Sequence, residues 1–321
     1  MRILTNADIY AASQPGELVD CLAAAFGASF ASPDRMHCDL PGGGDAKLLV
    51  MPSWQGREAI GVKVATVMAD NGALGLPTID GVYVLLDGQT GSVSAILEAR
   101  ALTALRTAAV SALAARLLSR PDSQTLLLVG TGALAPHLAR AHAAVRGLSR
   151  ILVWGRSPAK AQAVVDALSD QGCEVAVAAS LPDAAAAADI ISCATLSDAP
   201  LIMADWVLPG AHLDLVGSFA PEMREADEAL FRTGRLVIDT PTALKESGDL
   251  LVPHRLGWIS DPVPELADLV RGHARVRTSP TDITIFKTVG TGLSDIAAAR
   301  YFVGKAEESQ HLFQRSAGGA A

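Results

Sequence analysis

The stretch TLLLVGTGALAPHLARAH, Thr125–His142, constrains the fold of this 321-residue chain more than any other segment. An apolar strand runs into Gly130-Thr131-Gly132-Ala133-Leu134-Ala135, a G-x-G-x-x-A pattern, and a helical pattern follows at once. The first glycine permits a sharp turn, the second admits a pyrophosphate to the backbone, and the small last residue lets helix pack against strand. The first N–H groups of the helix then point at the anion. Glycine turns also join strands and helices without binding anything, so the setting decides. From Thr125 onward the candidate strands TLLLVG, RILVWG, EVAVAA, DIISCAT, AHLDLVG and RLVIDT follow one another, several with helical patterns between them. That alternation predicts a parallel sheet covered on both faces, with a dinucleotide at the glycine turn.

The end of the second strand selects the cofactor. A site for NAD carries an acid there, roughly 20 residues after the glycines, to hold the ribose hydroxyls. Here the strand ends in Trp154-Gly155-Arg156-Ser157, with Lys160 close behind. Arg156 can stack on adenine and pair with a 2′-phosphate, Ser157 can donate a hydrogen bond, and Lys160 adds charge. The pattern favours NADPH, with NADH as the alternative donor.

Residues before about 119 read differently. KLLVMPSW, AIGVKVATV and GVYVLLDGQTGSVSAILE are short strand-like segments, and DGQTG (Asp87–Gly91) is a hairpin turn by composition. A helix follows from Glu98 to Leu118, and SRPDSQ reads as a linker. In that helix Leu102, Ala109, Val110, Leu113 and Leu117 form an apolar stripe, and Arg106 lies on it. A guanidinium there needs an anion, and spacing leaves open whether that is a ligand carboxylate or an internal acid. Lys63 shares a strand face with Gly61 and Ala65, which leaves room in front of it for a substrate; a solvated lysine on an exposed face is the competing reading. The tail SAGGAA reads as disordered.

Composition removes several classes of function. The net charge is −8, with no basic block, so a nucleic-acid backbone is not an expected partner. No apolar run approaches the ~18 residues of a membrane span, and the opening residues lack the apolar core of a signal peptide. Four scattered cysteines without a CxxC predict a reduced, cytoplasmic protein, and no metal-ligand spacing is present.

Several segments together carry a resemblance: LLVMPSW, VKVATVMADNGALGLPT, LTALRTAA, LLLVGTGALA, CATLSDAPLI, ALKESGDLL and TIFKTVGTGLSD. Over nearly its whole length the chain resembles the ornithine cyclodeaminase/mu-crystallin family. The resemblance implies a homodimer of α/β subunits. A Rossmann-type doubly wound domain, residues 120–291, would lie between the parts of an α+β substrate and dimerisation domain, residues 1–119 completed by 292–321. It implies a site in the cleft, with Arg35, Lys63 and Arg106 on the substrate carboxylate. Thr195 and Leu196 would lie beside the nicotinamide, and Lys287–Gly290 would border the cleft. Family cyclodeaminases carry an aspartate base where this chain has Phe219, and a phenyl ring takes no proton. The form GSFAPEMRE resembles Δ1-pyrroline-2-carboxylate reductases, with Phe219 packing on the substrate ring. The expected function is therefore NAD(P)H-dependent reduction of cyclic imino acids to L-proline or L-pipecolate. The alternatives are ornithine cyclodeamination, alanine or other amino-acid dehydrogenation, and ligand carriage like that of the mu-crystallins.

Overall fold

The computed structural model describes residues 1–41 and 46–318. The chain divides into two compact units, one of Met1–Arg106 with the residues from Thr291 onward, the other of Thr107–Gly290. The division falls inside the helix Ala99–Leu118.

The first unit is built on a six-stranded sheet from β1 (Arg2–Leu4), β2 (Met36–Asp39), β3 (Lys47–Gln55), β4 (Ala59–Val67), β5 (Ile79–Asp87) and β6 (Val93–Glu98). Their order is β1-β6-β5-β4-β3-β2, antiparallel except for β1 beside β6. The predicted hairpin turn joins β5 to β6. Asp87 Oδ1 accepts the N–H of Gln89 at 3.0 Å and of Thr90 at 2.8 Å, and Gly91 takes φ 71°. Residues of period two alternate across the sheet. Ala59, Gly61, Lys63 and Ala65 of β4 are buried, whereas Ile60, Val62 and Val64 are half-buried. The last helix, Gly292–Gly318, packs on β3, β4 and β5 and on the helix Pro15–Gly27. It extends through Ser316–Gly318, which corrects the expectation of a disordered tail for those residues; the remainder of that tail lies outside the described residues.

The second unit holds a seven-stranded sheet of β7 (Thr125–Val129), β8 (Arg150–Trp154), β9 (Glu174–Val177), β10 (Ile190–Cys193), β11 (His212–Leu215), β12 (Arg235–Ile238) and β13 (Thr284–Lys287). Every pairing is parallel, in the order β12-β13-β11-β10-β7-β8-β9. The first three strands wind outward one way from β7 and the later ones the other way from β10. The strand order therefore reverses between β7 and β10, where α/β sheets hold ligands at their carboxyl ends. All six strands expected here are present. The seventh, TIFK, has the same four-residue length as β9 to β12 and is not among the expected strands.

The helix Ala99–Leu118 overturns two expectations. It is long and apolar enough to cross a membrane by length and composition, yet 78% of its most apolar window is buried inside the protein. It is also not one-sided. Ala108 through Ala115 are all buried, and Leu117, assigned to the apolar stripe, is 39% exposed. A helix apolar all round belongs in an interior, not on a surface. Its carboxyl end is closed by Arg146, whose guanidinium donates to the carbonyls of Ala115 (3.0 Å), Arg116 (2.7 Å) and Ser119 (3.2 Å) and to Ser119 Oγ (2.8 Å). These carbonyls belong to the last turn and the residue after it, the Ala115 carbonyl also accepting the Ser119 N–H at 2.9 Å, and a cation suits that end of the dipole. Replacing Arg146 with alanine should destabilise the protein by about 2 kcal/mol, read as a lower midpoint in urea denaturation.

Candidate active site

In the first unit three elements bring three buried charges together. Strand β4 turns Lys63 to the covered face, the helix Ala99–Leu118 supplies Arg106, and the last helix supplies Asp295. Lys63 and Arg106 are each 5% exposed and Asp295 is fully buried. Lys63 Nζ donates to Asp295 Oδ2 at 2.6 Å, and Arg106 Nε lies 2.8 Å from Oδ1. The second contact is an ion pair without hydrogen-bond alignment. The exposed-face reading of Lys63 is thereby excluded. The anion beside Arg106 is an internal acid, one of the two possibilities its spacing left open.

Arg35 is half-buried, and its charge acts on both Lys63 and Asp295. Tyr83, directly across from Lys63 in β5, is fully buried with its hydroxyl 3.4 Å from Ser53 Oγ. A Cβ at Gly61 would run into that hydroxyl, so glycine there makes room for the tyrosine. Burial, aided by Arg106 and Arg35 and opposed by Asp295, pulls the Lys63 ammonium down to about 8. Burial alone would raise Asp295, but Arg106 and Lys63 outweigh it and hold the carboxyl below its usual range. Lys63 and Arg106 thus share one carboxylate, and their remaining positive charge can bind a further anion.

The second unit carries the glycine turn. Gly130 takes φ 125° and its N–H donates to the Trp154 carbonyl at 2.9 Å. A Cβ there would lie 2.5 Å from the Ala194 carbonyl oxygen, so backbone and packing both demand glycine. Gly132 is different. It is exposed, and a Cβ built on it meets nothing within 4 Å. The protein itself gives no steric reason for glycine at 132, whereas close approach of a pyrophosphate does. Ala133 is exposed and Thr131 and Leu134 are half-buried, and the helix Ala135–Val145 begins with no side-chain cap and no acid in its first turn. The N–H groups of Ala135 and His137 donate to the carbonyls of Gly132 and Leu134, each at 3.1 Å, and Pro136 has none, which corrects the expectation that the first helical N–H groups meet the anion and leaves that to the backbone of the turn. The residues present fit a dinucleotide.

After β8, Arg156 and Lys160 are exposed. Ser157 caps the helix Pro158–Asp166 by accepting the Lys160 N–H at 3.4 Å, and its hydroxyl hydrogen stays available to donate.

Beyond β10 and β11 lies an acid that sequence reasoning missed. Glu225 is fully buried and accepts the Thr195 N–H (2.7 Å), the Thr195 hydroxyl (2.9 Å) and the Gly217 N–H (2.6 Å). Burial, opposed by Lys287 and aided by Asp249, pushes its carboxyl up to about 7. Asp249 accepts the backbone N–H of Glu225 at 2.7 Å, and Lys287 lies 3.7 Å from its other oxygen. Lys287 is fully buried and donates to the Leu215 carbonyl at 2.9 Å, so it is a structural cation. Glu225 therefore ties together the segments that follow β10 and β11. Leu196 and Phe219, each next to a tied residue or two beyond it, are 75% and 36% exposed. A second cluster, Ser192, Asp214 and His142, has the residue types of a hydrolase triad, with Ser192 Oγ 2.6 Å from Asp214 Oδ2. All three are at most 1% exposed, so the cluster is a core network closed to substrate.

The sequence profile of the ornithine cyclodeaminase/mu-crystallin family matches residues 4–310. The chain belongs to this family. It is 42% identical over 245 residues to a Δ1-pyrroline-2-carboxylate reductase of Paracoccus denitrificans, with 75% of this chain and 78% of the relative covered. It is 40% identical over 265 residues to the protein SAR DEFICIENT 4 of Arabidopsis thaliana, with 79% and 82% covered. The fold matches Thermococcus litoralis Δ1-pyrroline-2-carboxylate reductase in complex with NADH and L-proline at a TM-score of 0.91 and 29% identity, with 97% and 98% of the chains covered.

In this member of the ornithine cyclodeaminase/mu-crystallin family the two glycines of the turn should respond oppositely to the same change. Gly130→Ala should cost at least about 1 kcal/mol of stability through its backbone angle, whereas Gly132→Ala should leave the thermal midpoint close to that of the parent.

Proposed function

We propose that the protein reduces cyclic α-imino acids, Δ1-pyrroline-2-carboxylate or Δ1-piperideine-2-carboxylate, to L-proline or L-pipecolate, with NADPH preferred to NADH. That it is an oxidoreductase follows from its kinship with the named reductases. The observation that carries the substrate reading is the pair of buried cations, Lys63 and Arg106, that share the carboxylate of Asp295. Their surplus charge suits a small carboxylate.

Arg106 and Lys63 bind and orient the substrate carboxylate, with Arg35 adding charge. Two fixed cations restrict the ring to a narrow set of orientations, and orientation can supply several kcal/mol of a barrier, roughly 7 to 11 at best. The Lys63 ammonium, softened by burial to about 8, can hold a proton close to working pH. Gly130, Thr131, Gly132, Ala133 and Leu134 hold the pyrophosphate, and Thr195 and Leu196 lie by the nicotinamide. A bound nicotinamide cofactor supplies the hydride that goes to the C=N carbon, while a proton goes to the nitrogen. Phe219 supplies no base, which argues against release of ammonia from ornithine, and packs on the apolar ring. Arg156, with Ser157 and Lys160, pairs with the 2′-phosphate of NADPH.

We also propose a homodimer formed on the outer face of the first unit's sheet. Ile60, Val62 and Val64 are half-buried there, and Val82 is 39% exposed, an apolar face of the kind that marks an interface. The four free cysteines suit a cytoplasmic location.

One assay tests the reaction. The purified protein should oxidise NADPH with either cyclic imine, more slowly with NADH, and release no ammonia from ornithine. Ammonia-dependent oxidation with pyruvate but not with the imines would replace this reading with an amino-acid dehydrogenase. Binding of the imines without turnover would replace it with a carrier. Arg156→Ala should lower kcat/KM for NADPH by about tenfold or more and leave that for NADH nearly unchanged. Light scattering should give twice the chain mass, and Val62→Asp should give the monomer.

A further inference from the structure

We infer that Asp295 is a positioning residue for this reduction: its carboxylate holds Lys63 and Arg106 at a fixed spacing and keeps the Lys63 ammonium charged until the substrate arrives. The inference rests on the imine-reductase reading for its substrate. The clamp itself is a property of the first unit.

The two oxygens of Asp295 are divided between the cations, Oδ2 to Lys63 Nζ at 2.6 Å and Oδ1 to Arg106 Nε at 2.8 Å. Neither cation comes from the helix that carries the acid. Lys63 is on β4 and Arg106 on the helix Ala99–Leu118, so one carboxylate fixes two elements that are 43 residues apart in number. A lysine buried among Gly61, Ala65 and Tyr83 would lose its proton without a nearby anion, because burial penalises its charged form. The charged groups acting on it are Asp295 from the last helix, Arg106 from the long helix and Arg35 from the segment before β2, and Tyr83 is its register partner in β5. The two arginines oppose the ammonium. Tyr83 is raised by burial and stays neutral. Among these groups only Asp295 favours the charged lysine.

Asp295 also stops short of neutralising the site. With Lys63 protonated, Lys63 and Arg106 against the one carboxylate they share leave one charge in excess, which one substrate carboxylate balances. The acid thus orders the cations without cancelling their attraction for substrate. Asp295 lies at the centre of the buried run Thr291–Ala299, in the first turn of the helix, where a carboxylate also suits the positive end of the helix dipole.

The sign of the pH effect follows. Asp295 raises the Lys63 value, so Asp295→Asn should lower it from about 8, and the charged lysine should be lost at lower pH. Measured from about pH 6 to about pH 10, the alkaline limb of kcat/KM for the imine should move down by about one unit, with KM raised about tenfold and kcat changed less. Asp295→Glu should bring the limb back towards that of the parent. A purely structural role would lower activity evenly and leave the limb in place, and that result would overturn the inference. Carbon-13 NMR of the lysine side chains, with Lys63 assigned by its loss in Lys63→Arg, reads the same titration without substrate. If the parent reduces no imine, the functional reading fails while the NMR comparison still tests the clamp. If Asp295→Asn does not fold, the neutral Asp295→Ser carries the same test: an unchanged KM and an unchanged Lys63 titration would sink the inference.

Discussion

A buried carboxylate between two buried cations is the interaction on which the first unit depends. Taking Lys63, Arg106 and Asp295 out of water costs several kcal/mol per ion, and their mutual attraction recovers that only when the geometry is close. The structure meets this condition with contacts of 2.6 and 2.8 Å. Removing one partner from such a group leaves an uncompensated charge in the interior, so each of the three residues constrains the other two. The cluster also requires that a helix from the far end of the chain be packed on a sheet from its beginning. The unit is therefore assembled from distant parts of the sequence.

The second unit solves a different problem with a different charge. Its sheet is parallel and covered on both faces, so polar groups collect at the carboxyl ends of its strands, where the backbone leaves the ladder. Glu225 fastens two such exits, Thr195 after β10 and Gly217 after β11, with three hydrogen bonds. Gly217 allows this because any side chain there would strike the Thr195 carbonyl and the Glu225 carboxylate. Asp239 does the same for Val289 and Gly290, accepting their N–H groups at 3.1 and 2.7 Å. In both places one acid organises backbone donors that no strand partner satisfies. The glycine turn after β7 stands apart, since its exposed Gly132 answers to no group of the protein.

Much of this was legible in local pattern. The parallel unit showed itself through apolar runs alternating with helical segments, and the strand AIGVKVATV matches β4 from Ala59 to Val67. The alternation in β4 told which residues share a face with Lys63 but not which face is covered. That depends on the last helix, which lies more than 220 positions away. The same gap hid Asp295. Its neighbours Leu293, Ile296 and Ala299 mark an interior run, and a lone acid within such a run is the counterpart of a lone arginine on an apolar helix. Glu225 gave less warning, because MREADE reads as a solvated stretch. Leu117 misled for the opposite reason, since an apolar residue at helical spacing can still face water.

By itself the sequence determined six of the seven strands of the second sheet and their parallel class, the glycine turn and the set of cations, because each is written in short-range periodicity and in the stereochemistry of single residues. Only the tertiary structure decided which acid meets Lys63 and Arg106, which face of the first sheet is covered, and which carboxylate ties Thr195 to Gly217. Those outcomes depend on the desolvation of charges brought together from remote segments, and no local pattern records which remote partner will share the interior.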